Sequence, residues 1–429
     1  MSSQGTARLP RRVIAAATIG NALDVYDFAI YTIFAIQIGH AFFSVKDPLL
    51  NLLLSLSVYG AGFAARPLGA LVLGSYADRI GRKSAMVLSL MITGLSVVAL
   101  AAIPTAAQIG IWAAVLAVAI RLIQGFGLGA ETGTASAYLL EASAPEHRGL
   151  SVAWQGASQG VAGATGALAG ALMAHYLAPQ IFDTYGWRVA FLLGGLAVPY
   201  GLYLRRALPE TLNLAEQKPA ASIDPARLTL LSSAGYVVLI GAIVFSTRTI
   251  ATYVLNYMTT FAQHTLSMAP DVAIAAGLVS SIGAVVGVLI GGLLSDRLGR
   301  RPVMIWPNLV FLIATYPTFL WIVQTKSVAA LWIGTTILGL LTAIPGGAFF
   351  AAFTESLPKH IRSTSFSLVY AFAIAVFGAT TMPAVAWLSD KTHDPLTPAW
   401  YLIVATAISQ FAMMALRESA PVKQKPPSP

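Results

Sequence analysis

Apolar stretches of 19 or more residues alternate along this chain with short polar breaks. They cover roughly residues 13–42, 50–76, 84–104, 108–140, 149–177, 187–205, 231–262, 270–295, 302–324, 328–354, 363–389 and 397–416. A helix needs ~20 mostly apolar residues to cross a bilayer core, so the pattern predicts twelve spanning helices. One break differs from the others. Residues 206–230 hold Pro209, Glu210, Glu216, Lys218, Pro219, Asp224, Pro225 and Arg227, and read as a polar linker. The chain then divides into a six-helix bundle over 13–205, the linker 206–230 and a second bundle over 231–416. An N-terminal arm over 1–12 and a tail over 417–429 flank the bundles and are expected to be disordered.

The two predicted halves echo each other. Gly74-Ser75-Tyr76-Ala77-Asp78-Arg79-Ile80-Gly81-Arg82-Lys83 returns 218 residues later as Gly292-Leu293-Leu294-Ser295-Asp296-Arg297-Leu298-Gly299-Arg300-Arg301. Each copy ends an apolar stretch and reads G-x-x-x-D-R-x-G-R-[KR]. Glu141 and Arg148 return as Glu355 and Arg362, offset by 214. Two echoes at nearly one offset indicate a duplicated half. In an apolar chain that predicts two pseudo-symmetric bundles with a path between them.

Composition agrees. The chain is 57% hydrophobic and 10% charged, against about 25% charged in soluble domains. The net charge of +9 does not point to nucleic acid, because the charges sit at segment ends and build no basic face. With both termini on one side, nineteen Lys and Arg fall on that side and four on the other. This bias predicts that both termini are cytoplasmic. The remaining three of the 26 basic residues, Arg66, Arg121 and Arg248, lie inside spans. The first apolar run is too long for a cleavable signal. The absence of cysteine excludes disulfides and thiolate chemistry.

The doubled loop resembles the signature of the major facilitator superfamily. Gly20-Asn21-Ala22-Leu23-Asp24-Val25-Tyr26-Asp27-Phe28 is similar to the first-helix motif of its metabolite:proton symporters. So are Arg66-Pro67-Leu68-Gly69-Ala70, Arg121-Leu122-Ile123-Gln124-Gly125 and Gly129-Ala130-Glu131-Thr132-Gly133. Asp24 stands where those symporters carry Glu, and Ala130 where they carry Gly. Trp154-Gln155, Ser158-Gln159 and Tyr257-Met258 look most like the citrate and tricarballylate carriers. The resemblance implies an all-α membrane protein with the major facilitator fold. It implies a proton symporter of an organic anion such as a di- or tricarboxylate, not an enzyme, needing no cofactor or metal. Its surroundings are those of a bacterial inner membrane, and a monomer suffices.

Six ionisable groups fall within spans: Asp24, Asp27, Arg66, Arg121, Glu131 and Arg248. A charge at the centre of a spanning helix costs about 2.5–3.5 kcal/mol on insertion scales, so each needs a partner or a wet cavity. Asp24 and Asp27 share a helix face with Tyr31. Two close carboxylates in low dielectric cannot both ionise cheaply, which suits one to carry a proton. Counted from the helix ends, Asp24, Arg66 and Glu131 lie at one depth, with Asp27 higher and nearer Arg121. Asp27 with Arg121 is therefore expected to couple protons, with Glu131 and Asp24 nearby, and Asp24 with Arg66 to form a structural pair. An aspartate on helix 1 opposite an arginine on helix 4 is similar to the coupling pair of proton-linked sugar porters.

No acidic residue lies inside a predicted span of the second half, so Arg248 lacks a partner in its own bundle. With Thr252 and Asn256 it makes an i, i+4, i+8 polar ridge flanked by Tyr253 and Tyr257. A guanidinium in a cavity suits a carboxylate ligand through its planar fork. Gln155, Gln159 and Tyr31 complete the expected substrate site. Other readings of these groups are a bridge from Arg248 to Asp27 or Glu131, and interhelical glue by the glutamines. The doubled loops are expected to gate the path. In the resembled family the loop aspartate caps a helix in the opposite half, which gives Asp78 to the helix at Ser363-Thr364 and Asp296 to the helix at Gly149. Arg79, Arg82, Arg297, Arg300, Glu141, Arg148, Glu355 and Arg362 join this gate, and Arg79, Arg82, Lys83 and their counterparts Arg297, Arg300 and Arg301 also bind anionic lipid headgroups. The readings that compete are a symporter of a zwitterion (proline or betaine) or an aromatic acid, and a non-transporting membrane sensor.

Overall fold

The computed structural model describes residues 9–43, 48–211 and 225–423. Helices dominate the described residues, and no strand occurs among them. Twelve helical spans follow the hydrophobic pattern. Span 1 is Arg11–Ile33 continued by Ala35–Phe42, span 2 is Pro48–Arg79 and span 3 is Arg82–Ala102. Span 4 joins Trp112–Leu128 to Glu131–Ala142, span 5 is Arg148–Tyr176 and span 6 is Phe182–Arg206. Spans 7 to 10 are Pro225–His264, Pro270–Leu298, Arg300–Thr325 and Val328–Ser356. Span 11 is Lys359–Thr392 and span 12 is Thr397–Ala415. Ten of the twelve satisfy both length and apolarity for crossing a membrane. Spans 2 and 5, at 32 and 29 residues, are long enough and complete the set. This is an integral membrane protein.

Three expected boundaries move. Span 7 begins at Pro225 and not at 231, and residues 212–224 of the expected linker lie outside the described residues. Span 1 begins at Arg11, inside the expected arm. The tail is ordered through Lys423, where a 3₁₀ turn spans Pro421–Lys423.

The packing shows where the halves meet. Toward the face that carries the doubled loops, one hydrophobic core serves both halves. It joins Ala135, Tyr138, Leu139 and Val152 of the first to Phe245, Phe349, Phe353 and Phe366 of the second. Toward the opposite face the cores are separate. Tyr31, Phe34 and Trp187 centre one, and Val254, Phe261 and Phe319 the other. The molecule is therefore shut at the loop face. Within the first half, spans 2 and 4 touch backbone to backbone. A side chain at Gly125 would collide with the carbonyl oxygen of Gly62. That contact brings Arg66 and Arg121 to the same cavity wall.

Candidate functional site: three ion pairs, one arginine and a two-part gate

Each carboxylate inside the first half holds its own arginine. Asp24 accepts from Arg66 Nη2 at 2.7 Å, and Asp27 accepts from Arg121 Nη1 at 2.5 Å. Both expected pairings are present. Glu131 is paired with Arg205, which the sequence reading had assigned to the loop side. Arg205 is fully buried in the last turn of span 6, where its guanidinium also donates to the carbonyls of Ala16, Ala17 and Met86. Span 6 ends beside spans 1 and 3, so the side chain reaches inward to their carbonyls rather than outward to water. Although Asp24, Arg66 and Glu131 lie at one depth, they form separate pairs.

The pairs differ in access. The side chains of Asp24 and Arg66 are 16% and 9% exposed, those of Asp27 and Arg121 both 4%, and those of Glu131 and Arg205 2% and 0%. Phe63 lies 5.0 Å from the Arg66 guanidinium. Tyr31 lies 4.4 Å from that of Arg121, and its hydroxyl donates to Ser55 O at 2.9 Å. Tyr31 is thus buried beneath Arg121 and does not face a substrate path, contrary to expectation. Asp24, Asp27, Arg66, Arg121 and Gln124 line one small cavity of about 20 Å³, room for about one water molecule.

A polar bridge crosses between halves next to these pairs. Gln159 Nε2 donates to the Tyr370 hydroxyl at 3.0 Å and to Asn21 Oδ1 at 3.1 Å. Thr132 donates to the same Asn21 oxygen at 3.2 Å. Phe28 meets Tyr253 edge-on, with centroids 6.4 Å apart. Tyr253 packs against Gly378, within a π-helical turn over Ile374–Gly378 next to Ala379. Such turns recur at functional sites. Tyr370 and Tyr253 escaped the sequence reading as bridging groups, because nothing local to either marks a contact across the halves. Gln155 is fully buried, and its side-chain amide has no hydrogen-bond partner among the described residues.

Arg248 sits on the other side of Tyr370. Its Nη1 donates to Thr342 O at 3.0 Å. Its guanidinium lies on span 10 where Gly346 leaves room, since a side chain there would strike it. No described carboxylate pairs with it, and the bridges considered to Asp27 or Glu131 are pre-empted by Arg121 and Arg205. The ridge above it opens outward: Arg248 is half-buried, Thr252 and Asn256 exposed. Tyr257 does not join this ridge. Nine residues on from Arg248 it faces the opposite way and is buried in the second-half core.

The doubled loops make two matching contacts between the halves. Asp78 accepts from Ser363 N at 3.0 Å, Thr364 N at 2.8 Å and the Thr364 hydroxyl at 2.6 Å. Asp296 accepts from Gly149 N at 2.7 Å and Leu150 N at 2.8 Å. Both are the caps that the family resemblance implies. A carboxylate at a helix N-terminus satisfies free N–H groups and meets the positive end of the dipole. Arg82 binds Asp78, Glu141 and Lys359 O, and Arg300 binds Asp296 and Glu355. The two contacts are not equal. Arg362 reaches across to Glu141 at 3.0 Å, whereas its counterpart Arg148 forms no described ion pair. Arg79 and Arg297 are exposed and stand outside the network.

A third echo went unread. Leu208-Pro209-Glu210-Thr211 returns as Leu416-Arg417-Glu418-Ser419, offset by 208. Glu210 accepts from Arg82 N at 2.8 Å and Glu418 from Arg300 N at 2.8 Å. Thr211 and Ser419 donate to Glu141 and Glu355 at 3.0 and 2.7 Å. The shared L-x-E-[TS] pattern is the signal that would have found them.

Comparison with known proteins agrees with this architecture. The sequence profile of the Major Facilitator Superfamily matches residues 17–373 and 237–429. The chain belongs to that superfamily. It is 34% identical to a citrate-proton symporter of Klebsiella pneumoniae, covering 98% of this chain and 94% of that one. It is 31% identical to a citrate-proton symporter of Salmonella typhi, over 95% and 94%. A proline/betaine transporter of Salmonella typhimurium is 28% identical, over 97% and 86%. Among solved structures, the proton:xylose symporter XylE bound to 6-bromo-6-deoxy-D-glucose superposes with a TM-score of 0.77 at 16% identity, over 95% and 96%. That likeness shows the fold.

Proposed function

We propose that this protein is a secondary active transporter that takes up an organic anion, a di- or tricarboxylate such as citrate or tricarballylate, together with protons. The observation that carries the reading is the charge distribution about the bridge. Three first-half carboxylates each have an arginine, and Arg248 has no carboxylate partner among the described residues. A half-buried guanidinium without a counter-ion offers an anion a charge-assisted fork. The citrate-proton symporters among the relatives support the same reading. A zwitterion carrier would bring its own ammonium, which Arg248 disfavours. That ranks the proline/betaine alternative second.

The substrate path is built from Arg248, Thr252, Gln159 and Tyr370. Asp27 on Arg121 and Asp24 on Arg66 carry the protons. Glu131 with Arg205 holds the first bundle together. The Asp78 and Asp296 caps open and shut the loop face by alternating access. Both termini are cytoplasmic in a bacterial inner membrane, the transport unit is one chain, and Arg79 and Arg297 meet anionic headgroups. A proton moving down 100 mV supplies about 2.3 kcal/mol, enough to concentrate a solute several tens-fold.

The test is uptake of labelled citrate, tricarballylate, succinate, proline and betaine into vesicles holding the purified protein, with an imposed proton gradient. Accumulation of a carboxylate that collapses with a protonophore is expected. Accumulation of betaine alone, or accumulation indifferent to the protonophore, would overturn it.

A further inference from the structure

The Asp24–Arg66 pair differs from its two neighbours in ways that matter once the carboxylate reading above is accepted, and this inference rests on that reading. We propose that binding is a ligand exchange on Arg66. Asp24 takes a proton, its ion pair opens, and a substrate carboxylate replaces it on the guanidinium while a second substrate carboxylate lies on Arg248.

Three observations carry this. Asp24–Arg66 is the most accessible of the three pairs, and one nitrogen–oxygen contact of 2.7 Å defines it. It faces the second half. Tyr253 and Tyr370 lie within electrostatic reach of both Asp24 and Arg66, and Arg248 lies within reach of Tyr370. Phe63 supports the Arg66 guanidinium from the side, 5.0 Å away, so the arginine keeps its place when Asp24 lets go. The Asp27–Arg121 pair is closed to substrate by comparison. Tyr31 and Phe191 flank Arg121 at 4.4 and 5.7 Å, and Gln124 binds it at 2.6 Å.

Charge accounting sharpens the point. Among the described residues the site has one surplus positive charge, Arg248, and so balances one carboxylate without help. A second carboxylate needs a second arginine, which protonation of Asp24 supplies. A third carboxylate draws on Asp27, whose Oδ1 is buried, has no described partner, and lines the cavity it shares with Asp24. The charged and titratable groups around Asp24 are Arg66 on span 2, Asp27 on its own helix, Arg121 and Glu131 on span 4, Tyr253 on span 7 and Tyr370 on span 11. The step balances. A proton from the open face bonds to a carboxylate oxygen of Asp24, and the Arg66 N–H it held donates to the substrate. When the loop face opens the substrate leaves, the proton returns to water on that side, and the ion pair re-forms.

The experiment is calorimetric titration of the purified full chain with tricarballylate, across pH, in two buffers of different ionisation enthalpy. In the unmutated protein, at alkaline pH where the ligand is fully ionised, at least one proton should be taken from buffer per ligand bound. The apparent Kd should weaken at least about tenfold per pH unit there. Asp24→Asn should bind as tightly as the unmutated protein does at acidic pH, with the proton uptake reduced by one. Asp27→Asn should retain uptake of one proton. An Asp24→Asn protein that binds with unchanged uptake, or a folded one that no longer binds, overturns the exchange. If Asp24→Asn does not fold, proton uptake by the unmutated protein decides: none overturns the proposal. An unmutated protein that binds no carboxylate at any pH refutes the substrate reading itself, a result distinct from binding without proton uptake.

Discussion

The two halves of this protein share a backbone plan but handle charge in opposite ways. Inside the spans, away from the loop network that both halves share, the first half buries three ion pairs, and the second half carries an arginine with no described counter-ion. The Glu131–Arg205 pair shows the contrast at matching positions. Carrying Glu131 forward by the 214-residue offset reaches Pro345, and carrying Arg205 forward by 208 reaches Met413. Both are buried and apolar. Replacing a buried ion pair by apolar residues is commonly neutral or stabilising, so stability alone does not explain why the first half keeps its charges. The difference teaches a division of labour. On the function proposed above, one half stores carboxylates that exchange protons, and the other offers a fixed cation to an anion.

The contrast breaks most severely at Glu131. Glu131→Gln leaves Arg205 fully buried without its counter-charge, and breaking a buried pair from one side costs about 3–5 kcal/mol. Thermal unfolding of the detergent-solubilised protein should shift strongly downward. Met413→Leu, at the matching apolar position, should cost under about 1.5 kcal/mol. Equal shifts would erase the asymmetry between the halves.

Next comes Arg248→Lys, which keeps charge and loses the fork. A charge-assisted contact contributes about 1.5–3 kcal/mol, so affinity for tricarballylate should fall about tenfold to a hundredfold by calorimetric titration. An unchanged affinity would remove Arg248 from the site.

The gate offers a smaller and subtler comparison. Asp78 accepts three hydrogen bonds from span 11 and Arg362 adds a cross-half ion pair, whereas Asp296 accepts two from span 5 and Arg148 adds none that is described. Asp78→Asn should lose up to about 2 kcal/mol of charge–dipole attraction, shifting the balance toward the loop-open state up to ~30-fold. Asp296→Asn should shift it less. A single cysteine introduced at the loop face reports this cleanly, because the chain has no cysteine of its own. Labelling that rises equally in both variants would make the two parts equivalent. Least affected should be Arg79→Gln and Arg297→Gln. Both residues are exposed and outside the network, so stability should stay within about 0.5 kcal/mol. Transport in vesicles of neutral lipid should match the unmutated protein.

Much of this was legible in the residue order because it depends on patterns close in sequence or doubled along it. Apolar length fixes the spans, since lipid cannot satisfy an exposed backbone. The repeated D-R-x-G-R loop marks the loop face of both halves, and the family resemblance assigned its aspartates to the helix starts at Ser363 and Gly149. The pairs Asp24–Arg66 and Asp27–Arg121 followed from depth counting, since residues at one height on neighbouring helices can meet. The tertiary structure alone decided the rest. Whether Arg205 points to water or into the bundle depends on which carbonyls its helix end lies against, and a helix end looks alike in sequence either way. The rotation of span 7 sends Tyr257 into the core while Arg248 faces span 10. That Tyr370 meets Gln159 across the halves is a contact between surfaces more than two hundred residues apart. Periodicity within one helix fixes which residues share its face, and packing against other helices fixes where that face looks.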